Sequence, residues 1–225
     1  SDIRIQSLAM ICNVLLFSTL YFLFYGDGIW RGLLAAYVAV MIFALIVHLF
    51  RPAIQPVQSW GNLCAGQLMV ALPFALMNGI MMHNNYLLLA LFVLIWVNDS
   101  GAYIVGSLTA KLPKGNHKMF PRVSPAKSWE GLVGGILFSL LAGYIFFRVG
   151  WTAEMGLLNS LLFACAGSIF GTLGDLMESL FKRTLGVKDS GKIMPGHGGV
   201  LDRFDSLLLA VPVVYLLFVY LPFVL

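Results

Sequence analysis

Long apolar runs alternate with short polar connections along the chain, and the runs are too long to be strands. They cover about 8–25, 32–50, 63–82, 86–109, 130–149, 155–181 and 205–225. A bilayer core of about 30 Å is crossed by about 20 apolar residues in a helix. The pattern therefore predicts an all-α, polytopic integral membrane bundle with about seven transmembrane helices. Pro73 is expected to kink the third run, and Pro212 and Pro222 the last. Polar motifs concentrate in the second part, so the chain divides into N-terminal membrane helices, 1–85, and a catalytic membrane region, 86–225.

Composition strengthens that reading. Of the 225 residues, 60% are hydrophobic and only 11% charged, against about 25% charged in a soluble domain. Too few polar side chains exist to cover a soluble globule. Cys12, Cys64 and Cys165 have no paired spacing and read as small buried hydrophobes, with no disulfide framework or zinc motif.

Charge sets an orientation. With the N-terminus in the cytoplasm, twelve of the 14 Lys and Arg residues lie on that side, leaving only Arg31 and Arg148 opposite. This is a positive-inside bias. It brings the basic loops 110–129 and 182–204 to one face, where they can build one site. The net charge of +4 is thus a topology signal and not a nucleic-acid footprint. Trp30 and Trp151 near run ends read as interfacial anchors.

The segment from Ser179 to Asp205, SLFKRTLGVKDSGKIMPGHGGVLDRFD, is dense in charge between two apolar runs. Charge beside a membrane is costly unless it binds something charged. Lys182, Arg183, Lys188, Lys192 and Arg203 suit phosphate, and Asp189, Asp202 and Asp205 suit a hard divalent cation. Upstream, Asp175, Glu178, Ser179 and Lys182 fall on one helical face. Asp175 and Glu178 either carry chemistry or bridge to Lys182 and glue helices. Asp202 and Asp205 are spaced i, i+3 at the expected start of the last helix and form a candidate metal set with Asp175; Asp202 reads alternatively as an N-cap. The Gly198-Gly199 step lets backbone amides approach an anion. His197 either serves a phosphate or leaving group, or shapes the loop.

Two further segments carry candidate chemistry. Asp99, Tyr103 and Gly106 share a face in Asp99-Ser100-Gly101-Ala102-Tyr103-Ile104-Val105-Gly106, and Asp99 lies well inside an apolar run. Ser124-Pro125 reads as a helix start. Lys127 would then sit in a first turn, where the dipole disfavours a cation unless it meets an anion. Lys111, Lys114, Lys118, Arg51 and Lys192 read as orientation or snorkelling residues.

The signature Ser-x-Phe-Lys-Arg, Lys188-Asp189-x-Gly191, Pro195-x-His197-Gly198-Gly199-x-x-Asp202-Arg203-x-Asp205 resembles that of phosphatidate cytidylyltransferases (CDP-diacylglycerol synthases). The Asp-x-x-Ala-Tyr-x-x-Gly and Ser-Pro-x-Lys stretches resemble the same family, so the likeness spans about 96–210. Met194 departs from the usual Leu, Ile or Phe and keeps an apolar contact. The resemblance implies a nucleotidyltransferase of phospholipid biosynthesis: CTP and phosphatidic acid give CDP-diacylglycerol and pyrophosphate, with magnesium and room for a second cation.

It also implies catalytic roles for Asp175, Asp202, Asp205, Lys182, Arg183 and His197. Substrate contacts would come from Ser124, Lys127, Ser179, Lys188, Asp189, Gly198, Gly199, Arg203 and Asp99. A bacterial inner membrane, an active site facing the cytoplasm and further hydrophobic sequence before Ser1 follow as expectations. The alternatives are a CTP-dependent lipid kinase, a cytidylyltransferase for an isoprenoid-ether lipid, and an ion-coupled transporter. The Gly131-x-x-Gly134-Gly135 run suits close helix packing, within the chain or across a homodimer.

Overall fold

The computed structural model describes residues 3–50, 55–113, 115–191 and 199–220. These fall into two compact units, Ser1–His83 and Asn84–Leu225. Among the described residues five helices are long and apolar enough to cross a membrane: Gln6–Phe24, Val57–His83, Asn85–Ala110, Trp129–Val149 and Ala153–Thr184. Trp30–Ala44 and Leu207–Tyr220 are shorter apolar helices. Large apolar side chains stand outward, Met10 and Leu137 among them, as a lipid-facing surface requires. The chain is an all-α integral membrane protein.

The first unit contains α1 (Ile3–Phe24), α2 (Trp30–Leu49), α3 (Pro56–Gly66) and α4 (Leu72–His83). A π-helical segment, Gln67–Ala71, joins α3 to α4. Pro73 lies two residues beyond it, and its missing N–H accounts for a local change of hydrogen-bonding pattern where the kink is expected. Gln67 is buried; its Oε1 accepts from the Tyr37 hydroxyl at 2.8 Å. Such a partner is required of an amide removed from water. Of the three cysteines only Cys12 is buried; Cys64 is exposed and Cys165 half-buried. The expectation of three buried thiols therefore fails for Cys64, which is exposed on α3.

The second unit contains α5 (Asn85–Ala110), α6 (Trp129–Val149), α7 (Gly156–Thr184) and α8 (Leu207–Val214), the last continuing as a π-helical segment, Tyr215–Tyr220. Asn84 caps α5 by accepting from the Tyr86 amide at 2.8 Å. Close packing rests on small residues. A Cβ on Gly101 would lie 2.8 Å from Phe138, and one on Gly135 would lie 2.5 Å from the Asn98 side chain. Gly134 sits directly on Val105. The glycine run of α6 is thus spent on α5 within the chain.

An antiparallel hairpin, β1 (Lys118–Phe120) and β2 (Ser124–Ser128), precedes α6. Ser124-Pro125 is therefore a strand and not a helix start, and Lys127 lies before the helix, not in its first turn. Pro125 disfavours a helical conformation at the residue before it, and Ser124 is extended. The cap is Ser128, whose Oγ accepts from the Gly131 amide at 3.1 Å. The hairpin is tied down by His117, whose backbone N–H and ring both meet the Glu130 carboxylate, the ring at 2.6 Å.

The chain reaches α8 through a 3₁₀ turn, Leu201–Arg203, and further turns. Asp202 and Asp205 therefore do not share a helical face, and Asp202 does not cap α8. The reason lies across the unit. A Cβ on Gly174 of α7 would be 2.7 Å from the Asp205 carbonyl and 2.9 Å from that of Ser206. The approach to α8 lies flat against this glycine. Gly174→Ala is expected to cost about 1–3 kcal/mol through overpacking, read as a lower thermal midpoint in detergent.

Candidate active site

Four aspartates meet at one end of the second unit. Asp99 of α5, Asp175 of α7, and Asp202 and Asp205 before α8 line a single cavity of ≈ 270 Å³. Arg203 and Ser206 also line it, and Phe92, Ile95, Trp96 and Leu207 supply apolar wall. Like charges this close need cations, and two lysines supply them. Lys127 Nζ lies 2.6 Å from Asp175 Oδ2 and donates to the Thr172 carbonyl at 3.2 Å. Lys182 Nζ lies 2.7 Å from Asp202 Oδ1 and also pairs with Glu178, one turn earlier on α7.

Asp202 is the most heavily engaged of the four. It accepts from the Ser190 amide at 3.0 Å, the Ser190 hydroxyl at 2.9 Å and the Gly199 amide at 2.6 Å. Burial alone would raise its pKa. The Lys182 ammonium and these amide donors outweigh that and hold it well below the usual carboxylate range. Its contribution to stability is present above the unfolded value of about 3.9 and is lost as pH falls through the depressed folded value. Asp202 therefore clamps both ends of the signature loop onto α7. Gly199 has to be a glycine here, since a Cβ would sit 2.7 Å from the Gly191 amide nitrogen.

Asp205 behaves in the opposite way. Burial first, and then the negative charge of Asp175, push its pKa up to about 6. Its Oδ1 accepts from the Ser206 amide at 2.6 Å, and no ion pair to it is present among the described residues. Asp175 also accepts from Ser179 at 3.3 Å. Asp175 and Asp205 thus face a shared cavity as a repelling pair.

These residues fit a hard cation in part. Among the described residues, no three His, Cys, Asp or Glu side chains converge into a ready-made cage. Magnesium does not need one, because it binds through one or two carboxylates plus substrate phosphates. Asp175 and Asp205 line one cavity, and a divalent cation held by them would offset their negative charge.

Arg183, Lys188, Asp189 and Arg203 are exposed at the same end, and Ser124 is half-buried in β2. His197, Gly198 and Lys192 lie outside the described residues. Sequence reasoning missed a buried chain that supports the site. Ser168 Oγ donates to Asn98 Oδ1 at 2.5 Å, and Asn98 Nδ2 donates to Thr172 Oγ1 at 3.2 Å. Thr172 in turn offers its carbonyl to Lys127. Asn98 is 1% exposed; the one hint in the sequence was a carboxamide beside Asp99 in an apolar run.

The model of the cytidylyltransferase family matches residues 2–221. The chain belongs to that family. Among curated relatives, the phosphatidate cytidylyltransferase of Haemophilus influenzae is 45% identical over 133 residues, covering 58% of this chain and 44% of the relative. That of Staphylococcus haemolyticus is 47% identical over 136 residues, 60% of this chain and 49% of the relative. That of Staphylococcus aureus is 42% identical over 136 residues, with the same coverage. The chain spans about half the length of the curated relatives it matches. The cavity of four aspartates belongs to the second unit alone.

Proposed function

We propose that this chain carries the active site of a phosphatidate cytidylyltransferase, joining CTP and phosphatidic acid to give CDP-diacylglycerol and pyrophosphate. The observation that carries the reading is the cavity of four aspartates with paired lysines, at the end of the bundle where the basic loops lie. The relatives' names supply the substrates. The positive-inside bias supports an inner-membrane protein whose site faces the cytoplasm.

The reaction needs little proton transfer. An oxygen of the lipid phosphate, already an anion, forms a bond to the α-phosphorus of CTP, and the bond to the β-phosphate oxygen breaks. Pyrophosphate carries away the electron pair. The demand on the protein is to bring two anions together and steady the charge that shifts between them. Lys127 meets the triphosphate by exchanging Asp175 for a phosphate oxygen. Arg183 and Arg203 hold the lipid phosphate near the interface, where its acyl chains stay in the bilayer. Magnesium, held by Asp175 and Asp205, would neutralise phosphate charge. Lys182 and Asp202 keep the signature loop in place beside it.

Phosphatidic acid should be needed for pyrophosphate release from CTP by the purified protein; release that ignores the lipid would contradict the proposal. The two basic loops should also divide the work. Lys127→Ala is expected to raise KM for CTP more than for lipid, and Arg183→Ala the reverse, each about ten- to a hundred-fold in kcat/KM. Equal shifts for both substrates would mean one undivided phosphate site.

A further inference from the structure

The cavity of aspartates has a neighbour of a different character. A second cavity, of ≈ 190 Å³, lies between α5, α6 and the hairpin, with Ala102, Tyr103, Met119, Ala126 and Leu132 among its walls. Asp99 lines both cavities. Lys127 and Thr172 line the second, and the Lys127 ammonium reaches Asp175 in the first. One chamber is polar and charged, the other mainly apolar, and a carboxylate and an ammonium stand where they meet. A nucleoside triphosphate has the same division, a flat ring at one end and phosphates at the other.

We propose that the second cavity takes the pyrimidine ring of the nucleotide and that Asp99 reads its exocyclic amine. The inference rests on the function proposed above and adds the basis of base selection. An ionised carboxylate only accepts hydrogen bonds. Cytosine presents an amino donor at the position where uracil presents a carbonyl acceptor, and pairing of Asp or Glu with that amine is a recurrent contact. Asp99 therefore attracts cytosine and repels uracil. Tyr103, one turn on from Asp99, is 77% exposed and offers an aromatic face of the kind on which bases stack. Space for the ring comes from small residues at 102 and 126. The close contact of α5 with α6 fixes the far wall, since a Cβ on Gly131 would lie 3.0 Å from the Ala102 carbonyl. A lipid acyl chain would leave Asp99 and Lys127 without a purpose in the lining.

The test compares CTP with UTP, and CMP with UMP, on the intact chain in detergent. In Asp99→Asn the amide can donate to uracil. The preference for CTP over UTP in kcat/KM should narrow at least tenfold, chiefly through KM for CTP. An unchanged preference would overturn the inference, even if both rates fall. Equilibrium binding of labelled CMP and UMP reads the same cavity without turnover, so an inactive variant still gives an answer. Wild-type protein should bind CMP at least tenfold more tightly than UMP, and equal binding would overturn the inference. Ala126→Phe fills the cavity without touching a carboxylate. It should weaken CMP binding more than tenfold and leave inorganic pyrophosphate binding unchanged; equal loss of both would count against it. Wild-type protein that selects CMP over UMP yet gives no lipid product would overturn the proposed function and leave the base-reading cavity standing.

Discussion

Asp175→Asn is expected to lower turnover at least about a hundred-fold, the scale of losing one principal electrostatic contact in a reacting site, while the protein still folds. The substitution keeps the shape of the side chain and removes its charge. Asp175 is the carboxylate that meets Lys127 at 2.6 Å, and its charge adds to burial in raising Asp205. Without it, Lys127 keeps the Thr172 carbonyl as a partner, so packing of α7 should survive. Steady-state kinetics at saturating magnesium, with thermal unfolding as the control for folding, checks this. A variant that retains a tenth of normal turnover would remove Asp175 from the reacting centre. The same assay after stripping with chelator should show no turnover until magnesium or manganese is restored.

Lys182→Met should act on the fold itself. The side chains of Lys182, Glu178 and Asp202 are only 15%, 3% and 10% exposed. Removing the ammonium leaves two carboxylates facing each other without a counter-ion. Breaking a buried ion pair from one side costs about 3–5 kcal/mol. The loop held by Asp202 should loosen at the same time, because its acceptor is repelled by Glu178. Adding Glu178→Gln to Lys182→Met should recover part of the lost stability, since one stranded charge is removed. Thermal unfolding of the single and double variants in one detergent gives the comparison. A Lys182→Met protein as stable as wild type would mean that the pair contributes nothing, and that Lys182 is held for substrate alone.

Much of the architecture was legible because the bilayer imposes one simple rule on the chain. An apolar run of about 20 residues has to be a helix, and α5, α6 and α7 begin and end within a few residues of the runs that predict them. Asp99 and Asp175 were legible for the same reason, since a carboxylate inside such a run has to be matched by something. The hairpin was not. Serine at 124 and at 128 is equally suited to cap a helix, and only Pro125 and the contacts of His117 with Glu130 decide for Ser128. Those contacts join residues 13 apart and leave no periodic trace.

The spacing of Asp202 and Asp205 misled for a related reason. An i, i+3 pair shares a face only if the intervening backbone is helical, and the contact with Gly174 on another helix prevents that here. Both line the cavity, but only Asp202 is tied to a lysine and the loop amides, and that difference follows from tertiary neighbours. Lys182 was legible as a charged residue with a purpose, but its burial between Glu178 and Asp202 depends on how α7 meets the turn before α8.

The carboxylate cavity is expected to transfer a cytidylyl group from CTP to a lipid phosphate. Incubating the purified protein with magnesium, phosphatidic acid and CTP labelled at either the α- or the γ-phosphate tests it most directly. The α-label should enter the lipid and the γ-label should leave as pyrophosphate. Label entering the lipid from the γ-phosphate, or from neither position, would contradict it.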